Sequence, residues 1–127
     1  MFVVKWKNMS ANITEHTMEH GGKTYTFYCG KNAKGNDEIL EDYFEPWDVW
    51  FHVEGLPSGH VILRNDNLRL KSIRGFPRQV LKRGACICKA TTKTSGSVTI
   101  IYTFRNKVQK TEHLGEVTCT DLRKIVV

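Results

Sequence analysis

Apolar and polar residues alternate along much of the chain, and this period of two predicts a domain built mainly of β-strands. Predicted strands cover residues 2–6, 24–30, 48–53, 60–64 and 97–104. The strands 48–53 and 60–64 are separated by a turn rich in glycine and proline, so they are expected to form a hairpin. Alternation places Asp48, Trp50 and His52 on one face of the first of these strands, while its apolar partners occupy the other.

Two further stretches of the pattern are less regular. The polar segment 7–23 predicts a long loop or an irregular hairpin, with a flexible loop over residues 8–22. Near the end, segments 116–119 and 124–127 predict a closing hairpin around Thr120 and Asp121.

Helical periodicity appears in two places. A short helix is predicted to begin at a cap formed by Asn36 or Asp37 and to stop before Pro46. The principal helix is predicted from Pro77 to about Lys93. These elements predict one α+β domain over residues 1–127, with a mainly antiparallel sheet of about six or seven strands.

The principal helix has two unlike faces. At 100° per residue, its basic side chains fall within about 60° of one another, and its apolar side chains lie opposite. The basic residues of that stripe are Arg78, Lys82, Lys89 and Lys93. Gly84 lies on the apolar side, where it lowers helix propensity by about 1 kcal/mol relative to alanine. We therefore expect the helix to pack closely on the sheet at Gly84.

Charge is segregated along the chain, which changes the functional picture. The net charge of +6 divides into −4 for residues 1–60, with five basic and nine acidic residues, and +10 for residues 61–127, with 14 and four. Between Arg64 and Lys110 there are 12 basic residues and a single acid, Asp66. Such a basic segment predicts salt-sensitive binding to a polyanion. The alternative is a solvated basic face that serves solubility alone.

Length and cysteine content exclude several other classes. A chain of 127 residues fits one domain, and no apolar run approaches the roughly 20 residues of a membrane span. The start lacks the features of a signal peptide, so a cytoplasmic location is expected, with the nucleus as an alternative. Four scattered cysteines, without zinc-ligand spacing, predict reduced thiols and no metal or cofactor.

Candidate chemistry gathers on the predicted 48–64 hairpin. Asp48, His52 and His60 offer a carboxylate and two imidazoles, a set typical of acid–base catalysis or metal binding, although no further ligand stands at a fixed spacing. Trp50 is either a core residue or an exposed platform for an unpaired base. The basic residues are better suited to phosphates than to bases.

The order of several short motifs resembles the NFACT-R domain family. The matching segments are Gly30-Lys31-Asn32-Ala33-Lys34-Gly35-Asn36-Asp37, Asp48-Val49-Trp50-Phe51-His52-Val53, Ser58-Gly59-His60-Val61-Ile62-Leu63-Arg64 and Val98-Thr99-Ile100-Ile101-Tyr102. The resemblance extends from about Tyr25 over nearly the whole chain, and it is closest to the small type of member, here without the coiled-coil tail. It implies an RNA-binding module with no established catalytic activity, and Asp48, Trp50, His52 and His60 as the family's signature cluster.

These observations together predict a nucleic-acid-binding module and not an enzyme. The expected partner is RNA, either tRNA or ribosomal RNA, in translation or ribosome quality control, with DNA as a second partner and the large ribosomal subunit as the setting. The predicted contact residues are Arg64, Arg69, Lys71, Arg74, Arg78, Lys82, Lys89, Lys93, Arg105, Lys107 and Lys110. The alternatives are a nucleic-acid-processing enzyme that uses Asp48, His52 and His60, and a ribosome-associated protein adaptor.

Overall fold

The fold is an antiparallel sheet with a helix packed on each face. The computed structural model describes residues 11–42, 45–65, 70–113 and 116–127, so the predicted strand 2–6 lies outside the described residues. The elements are β1 Ile13–His20, β2 Lys23–Gly30, α1 Ala33–Asp42, β3 Val49–Val53, β4 Val61–Leu63, α2 Arg78–Lys89, β5 Thr99–Phe104, β6 Val108–Lys110, β7 Val117–Cys119 and β8 Arg123–Val126. Short 3₁₀ turns occupy Ile73–Gly75 and Arg105–Lys107.

Six strands form the main sheet in the order β1-β2-β4-β3-β5-β8, and all of its pairs are antiparallel. Strands β6 and β7 form a separate small antiparallel pair. The predicted α+β class and its mainly antiparallel sheet are therefore confirmed. The β3–β4 hairpin is confirmed as well, with Val49 opposite Leu63 and Phe51 opposite Val61.

Both faces of the central hairpin are buried. Val49, Phe51 and Val53 of β3 lie in the larger core cluster, together with the apolar face of α2. Trp50 points the other way, into a second cluster formed with α1 and the small sheet; its other members are Ile13, Tyr28, Ile39, Leu40, Ile62 and Val108. The predicted alternation along this strand is correct, and burial on both sides makes β3 the centre of the domain.

The prediction of a flexible loop over residues 8–22 is wrong for the part that forms β1. Strand β1 pairs with β2 along its whole length, from Ile13 opposite Gly30 to His20 opposite Lys23. A two-residue turn joins the strands, and both of its residues, Gly21 and Gly22, have positive φ angles of 60° and 79°. Glycine adopts this backbone conformation without the steric penalty of a Cβ atom, which is why Gly-Gly favours a tight hairpin.

The two helices also begin and end differently from the prediction. Helix α1 is capped by Asn32, whose Oδ1 accepts a hydrogen bond from the Gly35 N–H at 2.8 Å. Asn36 lies inside the helix, where its Oδ1 accepts from the His60 N–H at 2.8 Å. Helix α2 ends at Lys89, four residues before the predicted end. Neither of these described helices is long and apolar enough to cross a membrane.

The predicted closing hairpin is wrong because its two strands belong to different sheets. Strand β7 pairs with β6, with Val117 opposite Lys110, whereas β8 pairs with β5, with Ile125 opposite Ile100. The chain changes sheets at Asp121, which has a positive φ of 55°. Ile125 packs against the larger core cluster, so apolar burial on the main sheet outweighs a local turn.

Helix α2 packs closely on the sheet at Gly84, as predicted. A Cβ atom placed there would lie 2.6 Å from Cζ of Phe51, a fully buried ring. We expect Gly84→Ala to lower the free energy of unfolding by about 1–2 kcal/mol. A contact of 2.6 Å with a buried ring places the cost of overpacking in the upper part of its range, at about 2–3 kcal/mol, against a propensity gain of about 1. Urea denaturation measures this change. Gly96→Ala is the control because nothing lies within 4 Å of its Cβ position. Equal stability of the two variants would contradict the close packing.

Candidate nucleic-acid interface

Basic residues along α2 and in the segments directly before and after it form a basic surface. We call it the α2 basic surface; its members are Lys71, Arg74, Arg78, Lys82, Arg83, Lys89 and Lys93. All are exposed except Lys89, which is half-buried, while the opposite face of α2 is buried in the core. Arg83 is an addition to the predicted contact set, and the predicted Arg69 lies outside the described residues.

The α2 basic surface has no neutralising partner in the described part of the chain. None of its seven cations forms an ion pair with a described carboxylate. The sequence explains this in part, because residues 67–111 contain no aspartate or glutamate. Cations without such partners produce a positive potential that attracts a polyanion.

Arg64, another predicted contact residue, is instead part of the fold. Its Nε lies 3.0 Å from Oδ2 of Asp48, and the two side chains are 10% and 0% exposed. The Asp48 carboxylate also accepts hydrogen bonds from the Glu45 and Asn65 backbone N–H groups, both at 2.7 Å. Asp48 therefore joins the chain on either side of the β3–β4 hairpin.

Arg105 and Lys107, two further predicted contact residues in the 3₁₀ turn Arg105–Lys107, also form contacts within the domain. Two guanidinium nitrogens of Arg105 donate to backbone carbonyls, to Val108 O at 2.6 Å and to Leu40 O at 2.9 Å, and partial burial lowers the pKa of this group. Lys107 pairs with Asp121 at 3.3 Å.

Lys110, in strand β6 directly after this turn, contacts two carboxylates of α1. Its Nζ lies 2.7 Å from Asp37 Oδ1 and 2.5 Å from Glu41 Oε1. Hydrogen bonds to Asp37 and then to Glu41 raise the pKa of Lys110. Because carboxylates neutralise Lys107 and Lys110, residues 105–110 produce a weaker positive potential than the α2 basic surface.

His52 and His60, the two histidines of the predicted signature cluster, lie beside Trp50. The Trp50 Nε1–H donates to His60 Nδ1 at 3.2 Å, and the His52 and His60 ring centroids are 5.0 Å apart. His52 Nδ1 donates to the Val53 carbonyl at 2.6 Å. Burial lowers the pKa of His52, an effect that this hydrogen bond partly opposes. Trp50 is only 1% exposed, so it is a core residue and not an exposed base platform.

Two cavities flank this histidine pair. One, of about 380 Å³, lies between His52, His60, Ser58 and the start of α1 at Ala33. The other, of about 350 Å³, lies between His52, His60 and β7. Asp48 lines neither of them and contacts Arg64 instead, so it is not placed to assist these imidazoles as the enzymatic alternative requires.

The cysteines and carboxylates offer little chemistry in the described residues. All four thiols are free, as predicted, and burial raises the pKa of Cys29 to about 11 and that of Cys88 to about 12. A buried neutral thiol is a poor nucleophile and metal ligand. No group of three histidine, cysteine or acidic side chains among the described residues is arranged to hold a metal ion.

An exposed tryptophan lies near the basic surface at a position that sequence reasoning missed. Trp47 is 39% exposed and lines a cavity of about 450 Å³ together with Leu70 and Lys71. The Lys71 ammonium lies 5.9 Å from the centre of the Trp47 ring. The Phe104 ring packs edge-on against the indole, with ring centroids 5.0 Å apart. An exposed indole beside a cation is suited to stacking with an unpaired base.

The fold is similar to that of a solved bacterial structure. It matches the structure of the C-terminal part of the fibronectin/fibrinogen-binding protein from Streptococcus suis with a TM-score of 0.73 and 25% sequence identity. The match covers 89% of this chain and 44% of that chain.

Sequence comparisons give both relatives and a family. The chain is 35% identical over 91 residues to coiled-coil domain-containing protein 25 of Mus musculus and 34% identical over 90 residues to that of Bos taurus. These matches cover 69% and 68% of this chain but 42% of each relative, so the chain spans less than half the length of these relatives. The model of the NFACT protein RNA binding domain matches residues 12–120, so the chain belongs to this family of RNA-binding domains.

Proposed function

We propose that the chain binds RNA through the α2 basic surface and that phosphates provide most of the contacts. The observation that carries this proposal is a face of seven cations without a carboxylate partner in the described residues, on a domain of an RNA-binding family. Flexible lysine and arginine side chains suit phosphate groups, which position a nucleic acid without identifying its sequence.

Unpaired nucleotides are the preferred part of the RNA in this proposal. Trp47 lies beside Lys71, a member of the α2 basic surface, and presents an exposed ring to solvent. Stacking of a base on an aromatic ring contributes about 1–3 kcal/mol and requires a base that is free of its helix. Loops and ends of a structured RNA provide both phosphates for the α2 basic surface and unpaired bases for stacking on Trp47.

The cellular setting is proposed from the family alone. A tRNA or ribosomal RNA presents loops within a dense array of phosphates, which fits a role in translation or ribosome quality control, in the cytoplasm, as a binding module without catalysis. The contact set proposed from the structure is narrower than the predicted one. It keeps the predicted residues of the α2 basic surface and adds Arg83 and Trp47. It omits Arg64, Arg105, Lys107 and Lys110 because their charged groups contact the protein itself.

Binding to tRNA, single-stranded RNA and duplex DNA over a salt series tests the proposal. For single-stranded RNA we expect log K to fall with log salt with a slope of about −3 to −5, because each phosphate contact contributes about −0.7 and seven cations are available. Intact RNA on a gel afterwards is the expected companion result. A slope near zero would contradict phosphate binding. Cleaved RNA would favour the enzyme alternative, and cleavage should then depend on His52 or His60.

A further inference from the structure

Three arginines from separate elements line one small cavity on the helix α2 side of the main sheet. Arg74 belongs to the 3₁₀ turn Ile73–Gly75, Arg78 is the first residue of α2, and Arg123 is the first residue of β8. The cavity has a volume of about 210 Å³. Its apolar lining consists of Ile73, Phe76, Leu81, Tyr102 and Ile125.

The walls of this cavity are fixed by the core. Ile73 and Phe76, on either side of Arg74, are 6% and 4% exposed and belong to the larger core cluster. Tyr102 stacks on Phe51 with ring centroids 5.6 Å apart. Because Arg123 lies directly opposite Tyr102 in the β5–β8 register, both side chains leave the sheet on the same face. The backbone segments that carry the three arginines are therefore held in place by the core.

We infer that this cavity is a binding site for one phosphate group, held by Arg74, Arg78 and Arg123. One planar guanidinium group can donate two parallel hydrogen bonds to two oxygens of a phosphate, a geometry that lysine lacks. None of the three forms an ion pair with a carboxylate of the described residues. The first turn of α2 contains no acidic residue and no side-chain cap, so its partial positive charge adds to that of the arginines.

The size of the cavity decides what kind of group it admits. Its volume equals that of about seven water molecules in the liquid. It is smaller than the roughly 300–1,000 Å³ of sites that enclose a whole small-molecule ligand. A phosphate group fits, and the rest of its molecule must lie outside, along the α2 basic surface.

The identity of the ligand rests on the proposed function: the phosphate that this cavity binds belongs to an RNA strand. The source is either a phosphate of the backbone or a phosphate at the 5′ end. Both present the same oxygens to the arginines. RNAs of one sequence with a 5′-phosphate or a 5′-hydroxyl separate the two sources: equal affinity assigns the backbone, and a preference for the 5′-phosphate assigns the end.

The RNA test compares two neighbouring residues of β8. Arg123→Gln is expected to weaken RNA binding about tenfold or more, as the loss of one charge-assisted hydrogen bond does. Lys124→Gln is the matched control, because Lys124 lies next in the strand, points to the opposite face and pairs with Glu54 at 2.7 Å. We expect the control to change affinity by less than about twofold. Equal effects of the two variants would overturn the inference.

A second readout needs no RNA. Titration of the ¹⁵N-labelled chain with inorganic phosphate and then pyrophosphate should shift the Nε–H signals of Arg74, Arg78 and Arg123 together, with one dissociation constant. Arg83, a cation of α2 outside the cavity, should shift less. Independent or uniform shifts would overturn the inference. Shared shifts in a chain without RNA affinity would keep the phosphate site and reject the proposed function, so the two failures are distinguishable.

Discussion

Replacement of Asp48 by alanine is expected to lower the free energy of unfolding by about 3–5 kcal/mol, the usual cost of removing one partner of a buried ion pair. The Arg64 guanidinium would remain in place, 10% exposed, without this carboxylate. The backbone N–H groups of Glu45 and Asn65 would lose their acceptor as well. Since a domain of this size is stable by about 5–15 kcal/mol, a large share of the stability depends on this residue.

Urea denaturation of the Asp48→Ala chain measures this loss directly. Glu54→Ala is the matched control, because Glu54 is exposed and its ion pair with Lys124 is worth at most about 1 kcal/mol. If both variants lost the same small amount, the carboxylate would not have the structural role assigned here. The result would also explain the place of Asp48 in the signature cluster, as a residue that fixes the hairpin and not as a ligand of RNA.

Neutralisation of three lysines of the α2 basic surface is expected to weaken RNA binding about a hundredfold at low salt. The variant replaces Lys82, Lys89 and Lys93 with glutamine, and each contact with phosphate is worth about 1 kcal/mol, near the upper end for an exposed ion pair. The salt slope should decrease in magnitude by about 2, at about 0.7 for each lost contact. The arginine cavity is unchanged in this variant, so its phosphate titration should remain as in the wild type.

The chain provides a control with the same change in net charge. Lys107, Lys110 and Lys124 each pair with a carboxylate, and glutamine at all three positions removes three charges as well. We expect a loss of affinity below about fivefold for this variant, because only the long-range field of the protein changes. Equal losses in the two variants would mean that net charge, and not the α2 basic surface, determines binding.

The central elements of the fold could be predicted because each has a strong local pattern. The β3–β4 hairpin combines strict alternation with a turn of glycine and proline, and α2 combines a basic stripe with an apolar one. Gly84 was informative for the same reason, since a glycine on the apolar face of a helix suggests close packing against a neighbour. In both elements the local preference and the tertiary contacts agree.

The errors lie where tertiary contacts outweigh the local pattern. Strand β1 is an edge strand of polar composition. It has no aromatic residue, and Ile13 is its only apolar β-branched residue, so the Gly21-Gly22 dipeptide was the clearest signal of its hairpin. Strands β7 and β8 are neighbours in sequence, but they pair with partners elsewhere in the chain. Non-local pairing of this kind leaves no mark in a short window of sequence.

The candidate site was predictable in its charge but not in its partners. The excess of cations after residue 61 is visible in the sequence and predicts a basic surface. Which cations remain unpaired depends on contacts between distant residues, such as Lys110 with Asp37 and Arg64 with Asp48. Arg123 stands apart from the basic segment in sequence and joins Arg74 and Arg78 through the β5–β8 pairing.

Mapping of the surface that RNA covers shows whether the α2 basic surface is the binding site. Backbone and side-chain ¹H–¹⁵N signals of the chain would be followed during titration with a short single-stranded RNA at low salt. We predict that the perturbed signals cluster at residues 71–93 and at the Trp47 indole, while those of Lys107 and Lys110 change little. Perturbations centred on residues 105–110, or absent along α2, would contradict RNA binding through the α2 basic surface.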